Sequence, residues 1–221
     1  MSAKRKNKSV NNRRRLAKSL ILPVFDRTIY LFTEGETEQQ YIIDLAQDTN
    51  VEIVPFKPIS SPRLLAETVK AWLADKKDWF ASGNVNAEVW IIFDDDEKNG
   101  NIEEFCKAIK GVRNVRVAYM KPCIELWGVM CVQGNTSGLA KTHRKVESAL
   151  KKVMPGYDHS GNPYFDTAKM VKTAQACQQA AQWDKSYPTF SSRMNAAFFA
   201  GIHTLVEELL GAPRRQRKMR V

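Results

Sequence analysis

The sequence centres on Glu88-Val-Trp-Ile-Ile-Phe-Asp-Asp-Asp-Glu97, where an apolar run meets a cluster of acids. The run from Val89 to Phe93 is rich in β-branched and aromatic side chains. That composition predicts a strand buried on both faces, as in a parallel sheet. Such a strand delivers its last side chains to the carboxyl edge of the sheet, where open α/β folds bind ligands. In an extended segment, Asp94 and Asp96 point to one side and Asp95 to the other.

The three adjacent aspartates indicate a site for a divalent cation. Like charges held this close repel one another, and a positive partner offsets the repulsion. A hard cation with oxygen ligands fits that position, and magnesium is the first candidate. The alternative is that the aspartates cap the next helix or simply end the strand, since Asp also favours caps and turns.

Length and composition predict a soluble, cytoplasmic globular protein. The 221 residues are enough for one well-buried domain. No apolar run approaches the roughly 20 residues that span a bilayer, and no apolar segment of a secretory signal follows the basic start. None of the four cysteines forms a CxxC pair. We therefore expect reduced thiols and no zinc site.

The positive charge is concentrated at the two ends of the chain. The net charge is +10, yet residues 1–20 hold eight basic residues and residues 214–220 hold five, with no acid in either segment. The rest of the chain has 21 basic against 24 acidic residues. Basic ends on a slightly acidic body suit a polyanion, nucleic acid first, and the alternative is that they are solvated tails. The candidate contacts there are Lys4, Arg5, Arg13, Arg14, Arg15, Arg214 and Arg215.

Strands and helices are predicted to alternate through the first half of the chain. The predicted strands cover residues 28–33, 51–56, 89–93 and 115–119. The first strand ends in Glu34-Gly-Glu-Thr-Glu38, where Gly35 permits a tight turn and Thr37 is placed to begin a helix. This alternation predicts a mainly parallel, Rossmann-like α/β sheet of about four strands with flanking helices. Right-handed crossovers would then bring Glu34 and Asp94 to the same edge.

The second half of the chain is predicted to be helical. Helices are expected over residues 139–153 and 167–183, and a last helix runs to about residue 210 after the break at Tyr187-Pro188. The first of these is basic, and its His143 and Arg144 are candidates for a nucleic-acid groove, although a solvated face is the commoner interpretation. His159 is expected in a surface loop. We divide the chain into a basic tail (1–20), an α/β core (21–135), a helical part packed on that core (136–212) and a second basic tail (213–221).

Three acidic motifs, in this order, resemble the Toprim domain and more closely the RloB-like family. They are Glu34-Gly-Glu-Thr-Glu38, Phe93-Asp-Asp-Asp-Glu97 and Pro122-Cys-Ile-Glu-Leu-Trp127. The segment Gly201-Ile-His-Thr-Leu-Val-Glu-Glu-Leu209 also resembles the last helix of that family. The resemblance covers roughly residues 28–210 and implies a Toprim-like core with a helical C-terminal half.

The resemblance implies a metal-dependent nuclease. In Toprim nucleases, acidic side chains hold one or two Mg²⁺ (or Mn²⁺) ions against a scissile phosphodiester. By this match Glu34, Asp94 and Asp96 would be ligands, and Glu38 a second-site ligand. Glu34 could instead serve as a general acid or base.

Two further catalytic candidates follow the fourth predicted strand. Glu125 is either a further ligand, an orienting group behind the ligands, or a polar residue satisfied within an apolar helix. Lys121 either neutralises a phosphate in the transition state or is an ordinary strand-end cation. The Lys121-Pro122 pair also resembles receiver domains, but the acidic turn after the first strand is the wrong acidic pair for that family.

The resemblance further implies an effector of anti-phage defence that cuts DNA or RNA, with tRNA a plausible substrate. An AAA-type ATPase subunit is an expected partner, and the sequence has no P-loop motif of its own. A homo-oligomer is a further candidate assembly, and no membrane partner is expected. The alternative is a non-catalytic subunit that binds nucleic acid or the ATPase through its basic ends.

Overall fold

The computed structural model describes residues 25–77, 86–95, 100–112 and 115–212. In this part of the chain a sheet has the strand order β2-β1-β3-β4-β5. Its strands are β1 (Arg27–Thr33), β2 (Val51–Pro55), β3 (Ala87–Asp94), β4 (Val115–Lys121) and β5 (Phe199–Ala200). The first four strands are parallel, and β5 is antiparallel to β4. The predicted α/β class with a mainly parallel sheet is confirmed.

Helices flank the sheet and make up most of the C-terminal half. They are α1 (Glu36–Ala46), α2 (Pro62–Asp75), α3 (Gly100–Ile109), α4 (Glu125–Gln133), α5 (His143–Val153), α6 (Thr173–Ser186), α7 (Phe190–Met194) and α8 (His203–Gly211). The start of α2 follows from local chemistry, because the Ser61 side chain accepts a hydrogen bond from Leu64 N and Pro62 occupies the first turn. None of the described helices is long and apolar enough to cross a membrane.

Strand β3 lies in the middle of the sheet and is buried on both faces. Trp90 and Ile92 belong to one hydrophobic core, together with residues of α1, α4 and α8. Val89, Ile91 and Phe93 belong to a second core, with residues of α2 and α3. The two-sided burial explains why Val89 to Phe93 are all apolar rather than alternating with polar residues.

Helices α5, α6 and α8 of the C-terminal half pack on the first of these cores, whereas Phe190 and Met194 of α7 pack against the second. Leu150 of α5, Ala180 of α6 and Leu205 of α8 are all buried there. Helix α4 is enclosed by them, and its residues from Glu125 to Cys131 are buried. Such a helix needs no amphipathic pattern, since it meets protein on all sides.

The structure corrects several predicted boundaries. The last helix ends near residue 210 as predicted, but α7 and β5 precede it after the break at Tyr187-Pro188 and were not predicted. The helix predicted from residue 139 begins at His143, and the one predicted from residue 167 begins at Thr173 after a 3-10 turn. Helix α1 begins at Glu36, with Gly35 rather than Thr37 at its N-cap. The tails 1–20 and 213–221 lie outside the described residues.

Candidate functional site

The parallel pairing of β1 and β3 brings Glu34 and Asp94 together. Thr33 lies opposite Ile92 in the register, and Glu34 N donates a hydrogen bond to Ile92 O over 3.0 Å. One residue further on, Asp94 N donates to Glu34 Oε2 over 3.2 Å. Two acids that are 60 positions apart in the chain therefore meet at the carboxyl edge of the sheet.

Glu38 reaches the same edge from the first turn of α1. It is 3% exposed, and a Cβ atom on Gly35 would lie only 2.7 Å from Glu38 Oε2. The absence of a side chain at Gly35 therefore leaves room for this carboxylate against the backbone. The acids face a cavity of about 490 Å³, whose walls include Glu34, Glu38, Ser60, Asp94, His143 and His159.

Asp94 is buried among other carboxylates, and this environment perturbs its pKa. Its Oδ2 accepts a hydrogen bond from Ile124 N over 2.9 Å, whereas its buried Oδ1 has no hydrogen-bond partner among the described residues. Burial raises the pKa of Asp94 well above its ordinary value, and three carboxylates raise it further. These are Glu38, Glu125 and Glu34. A cation here would reduce the repulsion between the carboxylates and would give Oδ1 of Asp94 a binding partner.

Asp95 lies on the opposite face of the sheet. Its Oδ2 accepts a hydrogen bond from Tyr119 Oη over 2.7 Å and lies 3.3 Å from Lys121 Nζ. Lys121 also donates to the carbonyl oxygen of Met194. The structure thus places Lys121 with Asp95 and α7, apart from the Asp94 side of the sheet, and its role toward a phosphate stays a prediction.

Glu125 begins α4 and lies at the centre of a buried polar cluster. Tyr157 Oη donates to its Oε1 over 2.6 Å, and His159 Nδ1 lies 3.0 Å from the same oxygen. His143 Nε2 lies 3.6 Å from Oε2. Burial alone would raise the pKa of Glu125, but the contacts with His143, His159 and Tyr157 outweigh it and hold the pKa below its ordinary value. Glu125 is therefore kept as an anion, although it is only 1% exposed.

A group that could hold a metal ion forms at the same place. Single ligand atoms of Cys123, Glu125 and His143 all lie within 4.8 Å of one another. Cys123 and Glu125 are buried, and His143 is half-buried at the cavity wall. Thiol, carboxylate and imidazole together make a mixed donor set, unlike the all-oxygen set around Asp94.

Tyr157 and His159 are site residues that sequence analysis missed. They belong to the loop after α5, which folds back on itself through paired backbone bonds between Asp158 and Asn162. His159 was expected at the surface, and its side chain is indeed 53% exposed, but its ring reaches Glu125. No local pattern signals this contact, because the partners are 34 positions apart.

The structure describes only one of the remaining predicted site residues. Arg144 is exposed on α5, next to His143 in the cavity wall. The others lie outside the described residues, so the structure does not place them. They are Asp96, Lys4, Arg5, Arg13, Arg14, Arg15, Arg214 and Arg215.

Comparison with known proteins identifies the family. Residues 29–209 match the family described as RloB-like protein. No curated protein is significantly similar to the chain, and no solved structure is either. The match runs from β1 to the last turn of α8, and it includes Glu34, Asp94 and Glu125. Since it covers most of the sequence, the chain belongs to the RloB-like protein family.

Proposed function

We propose that this protein is a magnesium-dependent nuclease that hydrolyses phosphodiester bonds. One observation carries the proposal: Glu34 and Glu38 after β1 line one cavity at the carboxyl edge of the sheet with Asp94, which is 60 positions from Glu34 in the chain. Ligand sites of open α/β folds lie at this edge. The resemblance of the surrounding motifs to Toprim nucleases supports the same chemistry.

The residues present fit a magnesium ion. Mg²⁺ prefers carboxylate oxygens and water, and the buried Oδ1 of Asp94 has no hydrogen-bond partner among the described residues. Glu34, Glu38 and Asp94 would hold the ion, and Asp96 remains a predicted further ligand outside the described residues. When bound, magnesium would polarise a phosphoryl oxygen and activate a water molecule.

The protein groups around Asp94 hold its carboxylate ready for such an ion. The bond from Ile124 N occupies Oδ2 and leaves Oδ1 for the cation. The bond from Asp94 N holds the Glu34 carboxylate at the end of β3, where it would bind the ion or take a proton from water. Ligands positioned beforehand by backbone bonds lose little entropy when the ion arrives.

Exposed basic side chains of α5 and of the segment before it form a surface that could bind the phosphate backbone of a nucleic acid. Lys141, Arg144 and Lys145 are exposed beside His143, which lines the cavity. Contacts of this kind bind nucleic acid without reading its sequence. The basic ends of the chain would add to the same sequence-independent attraction.

The biological part of the proposal is a role in anti-phage defence, in the cytoplasm and beside an AAA-type ATPase subunit. This part of the proposal rests on the resemblance to the family that the chain matches. DNA and RNA, including tRNA, are both substrates to be tested.

The test compares Glu34→Gln and Asp94→Asn with the wild type on a panel of labelled DNA, RNA and tRNA, with Mg²⁺ and with chelator. Both variants should lose about 100-fold or more of the cleavage rate, since even groups behind the ligands contribute roughly 10–100-fold at metal sites. Glu67→Gln is the matched control, because Glu67 is exposed on α2 and pairs with Arg63. Wild-type cleavage rates in both variants would overturn the metal-site proposal.

The same panel tests the alternative of a non-catalytic subunit. That alternative expects the wild type to bind nucleic acid, with Mg²⁺ or Mn²⁺ present, and to leave every substrate intact. If an ATPase partner is then added and cleavage still does not appear, the nuclease proposal is wrong.

A further inference from the structure

The polar cluster around Glu125 has a different chemistry from the acids around Asp94. Its donor atoms are the Cys123 thiol, a Glu125 carboxylate oxygen and a His143 ring nitrogen. Magnesium binds thiolate and imidazole poorly, whereas zinc accepts sulfur, nitrogen and oxygen ligands alike. The two clusters therefore select for different ions, although both face the same cavity through Asp94 and His143.

We propose that Cys123, Glu125 and His143 form a Zn²⁺ site, separate from the carboxylate site that would hold Mg²⁺. Ligand atoms on one tetrahedral zinc ion lie roughly 3.3–3.6 Å apart, given bond lengths of about 2.0–2.3 Å. His143 Nε2 and Glu125 Oε2 are already 3.6 Å apart, and all three donor atoms lie within 4.8 Å of one another. Small side-chain movements would bring them onto one ion.

The arrangement of the Glu125 carboxylate is independent evidence for a bound cation. Oε1 has two partners, Tyr157 Oη and His159 Nδ1, but the buried Oε2 has no hydrogen-bond partner among the described residues. Tyr157 and His159 thus hold Oε1 and leave Oε2 toward His143, as groups behind metal ligands commonly do. At 3.6 Å from His143 Nε2 this oxygen is beyond hydrogen-bond range, and a cation bound between the two atoms would give it a partner.

The charges of this donor set also balance in the buried position. Zn²⁺ would displace the thiol proton of Cys123 to solvent, and the resulting thiolate and the Glu125 carboxylate would together neutralise the ion. His143 would bind as neutral imidazole, and its side chain is 29% exposed, so an ion can enter from the cavity. Three protein ligands leave one position for water or a phosphate oxygen, which is typical of zinc sites that act on substrates.

The experiment titrates Zn²⁺ into the metal-stripped full chain, in the presence of excess Mg²⁺, with calorimetry or a competing chelator as the readout. One equivalent should bind to the wild type. Cys123→Ser and His143→Ala should each weaken binding by at least about 10-fold, and His159→Ala should weaken it less, since it acts through Glu125. The control Cys106→Ser removes a cysteine of α3, on the other face of the sheet, and should bind as the wild type does.

One further measurement and the choice of variants keep the outcome clear. With Co²⁺ in place of Zn²⁺, the wild type and Cys106→Ser should show thiolate-to-metal absorption that Cys123→Ser lacks. His143→Ala alters a partly exposed side chain, so it tests the site even if the buried Cys123→Ser variant unfolds.

The outcome of the zinc titration does not depend on the outcome of the nuclease test. Glu34→Gln should keep its zinc equivalent even though its cleavage is lost, and a protein without nuclease activity can still be titrated. The proposal is overturned if the wild type binds no stoichiometric Zn²⁺, or if Cys123→Ser and His143→Ala bind it as tightly as the wild type. It is equally overturned if Glu34→Gln abolishes zinc binding, because the ion would then sit among the acids.

Discussion

Asp94 and Asp95 are adjacent in the chain, but their side chains lie on opposite faces of the sheet. Asp94 lies among acids, with burial and neighbouring charge raising its pKa. Asp95 accepts a bond from Tyr119 and pairs with Lys121. One carboxylate is thus held in a repulsive setting and the other in a favourable one, which is typical of a functional group beside a structural one.

Replacing each aspartate by asparagine should separate these roles. Asp94→Asn should weaken Mg²⁺ binding by about 100-fold and raise the stability of the metal-free protein by about 1 kcal/mol, because a buried repulsion disappears. Asp95→Asn should keep Mg²⁺ binding and lower the stability by about 1–3 kcal/mol, because charge-assisted bonds weaken. Calorimetry and urea unfolding measure both quantities. Equal effects of the two substitutions on Mg²⁺ binding would contradict this assignment.

Gly35 should matter for ion binding more than for folding. In Gly35→Ala the new Cβ would meet Glu38 Oε2 at 2.7 Å, and the carboxylate, as the end of a flexible side chain, would move away. We expect Mg²⁺ affinity to fall by about 10-fold while stability changes by less than about 1 kcal/mol. Gly156→Ala is the control, since no atom lies within 4 Å of its added Cβ. A large loss of stability without a change in affinity would show that the glycine serves the fold instead.

At the scale of elements, the short strand β5 ties the last helices to the sheet. Phe199 and Ala200 pair with the end of β4, and Gly201 N donates to Tyr119 O over 2.9 Å. Both strand residues are buried, one in each hydrophobic core. The strand therefore fastens α7 and α8 beside the edge where the site lies.

Gly201→Ala tests this connection. A Cβ there would lie 2.9 Å from Tyr119 O and 3.0 Å from Tyr119 N, and backbone atoms cannot turn aside. We expect a loss of about 1–3 kcal/mol in urea unfolding and faster amide exchange in β5. Gly211→Ala, whose added Cβ meets nothing within 4 Å, should leave both measurements nearly unchanged. Wild-type stability of Gly201→Ala would mean that β5 is not a firm attachment.

The contact between α6 and α8 should make stability depend on pH. Burial lowers the pKa of His203, but its bonds with Asp184 and Ala200 outweigh burial and raise the pKa above the ordinary 6.5. A raised pKa means that folding favours the protonated ring, so this contribution is full below pH 6.5 and is lost as the pH rises through the folded value. Arg193 and Glu207 also face this pair.

The measurement compares urea unfolding of the wild type and His203→Gln at several pH values. The stability difference between them should shrink as the pH rises above 6.5, because only the wild type loses a charged pair. His143 and His159 are present in both proteins, so the comparison isolates His203. A difference that stays constant with pH would show that folding does not shift the pKa of His203.

At the scale of the whole molecule, charge is divided between a near-neutral body and two basic ends. The acidic cavity would by itself repel nucleic acid, and the flanking positive charge would overcome that repulsion at long range. Exposed basic residues near the cavity, such as Arg144, would then position the backbone. The salt dependence of binding should report the number of these contacts.

Replacing Arg13, Arg14 and Arg15 by Gln should weaken nucleic-acid binding and lower the slope of log K against log salt by as much as about 2.7. The control replaces three exposed lysines in α2 and directly after it, Lys70, Lys76 and Lys77, and should change the slope little. Binding measured from low to moderate salt checks both. An unchanged slope in the arginine variant would show that these three arginines do not contact the nucleic acid.

Much of the fold could be read from local pattern. The run Val89–Phe93 predicted a buried strand because two-sided burial demands apolar residues at consecutive positions. Strand β5 could not be read in this way, since two residues carry no periodicity and pair with a strand some 80 positions away. The exact starts of the helices were also missed, because caps depend on backbone geometry as well as on residue type.

The sequence by itself determined the acids after β1 and β3, the glutamate at the start of α4, and the family to which the chain belongs. Only the tertiary structure decided that Tyr157 and His159 hold Glu125, that Cys123 and His143 lie beside it, and that Lys121 joins Asp95. The physical reason is the distance along the chain between the residues that interact. Strand and turn signals depend on neighbouring residues, whereas a cluster of donors forms only when loops far apart in sequence pack against the same edge of the sheet.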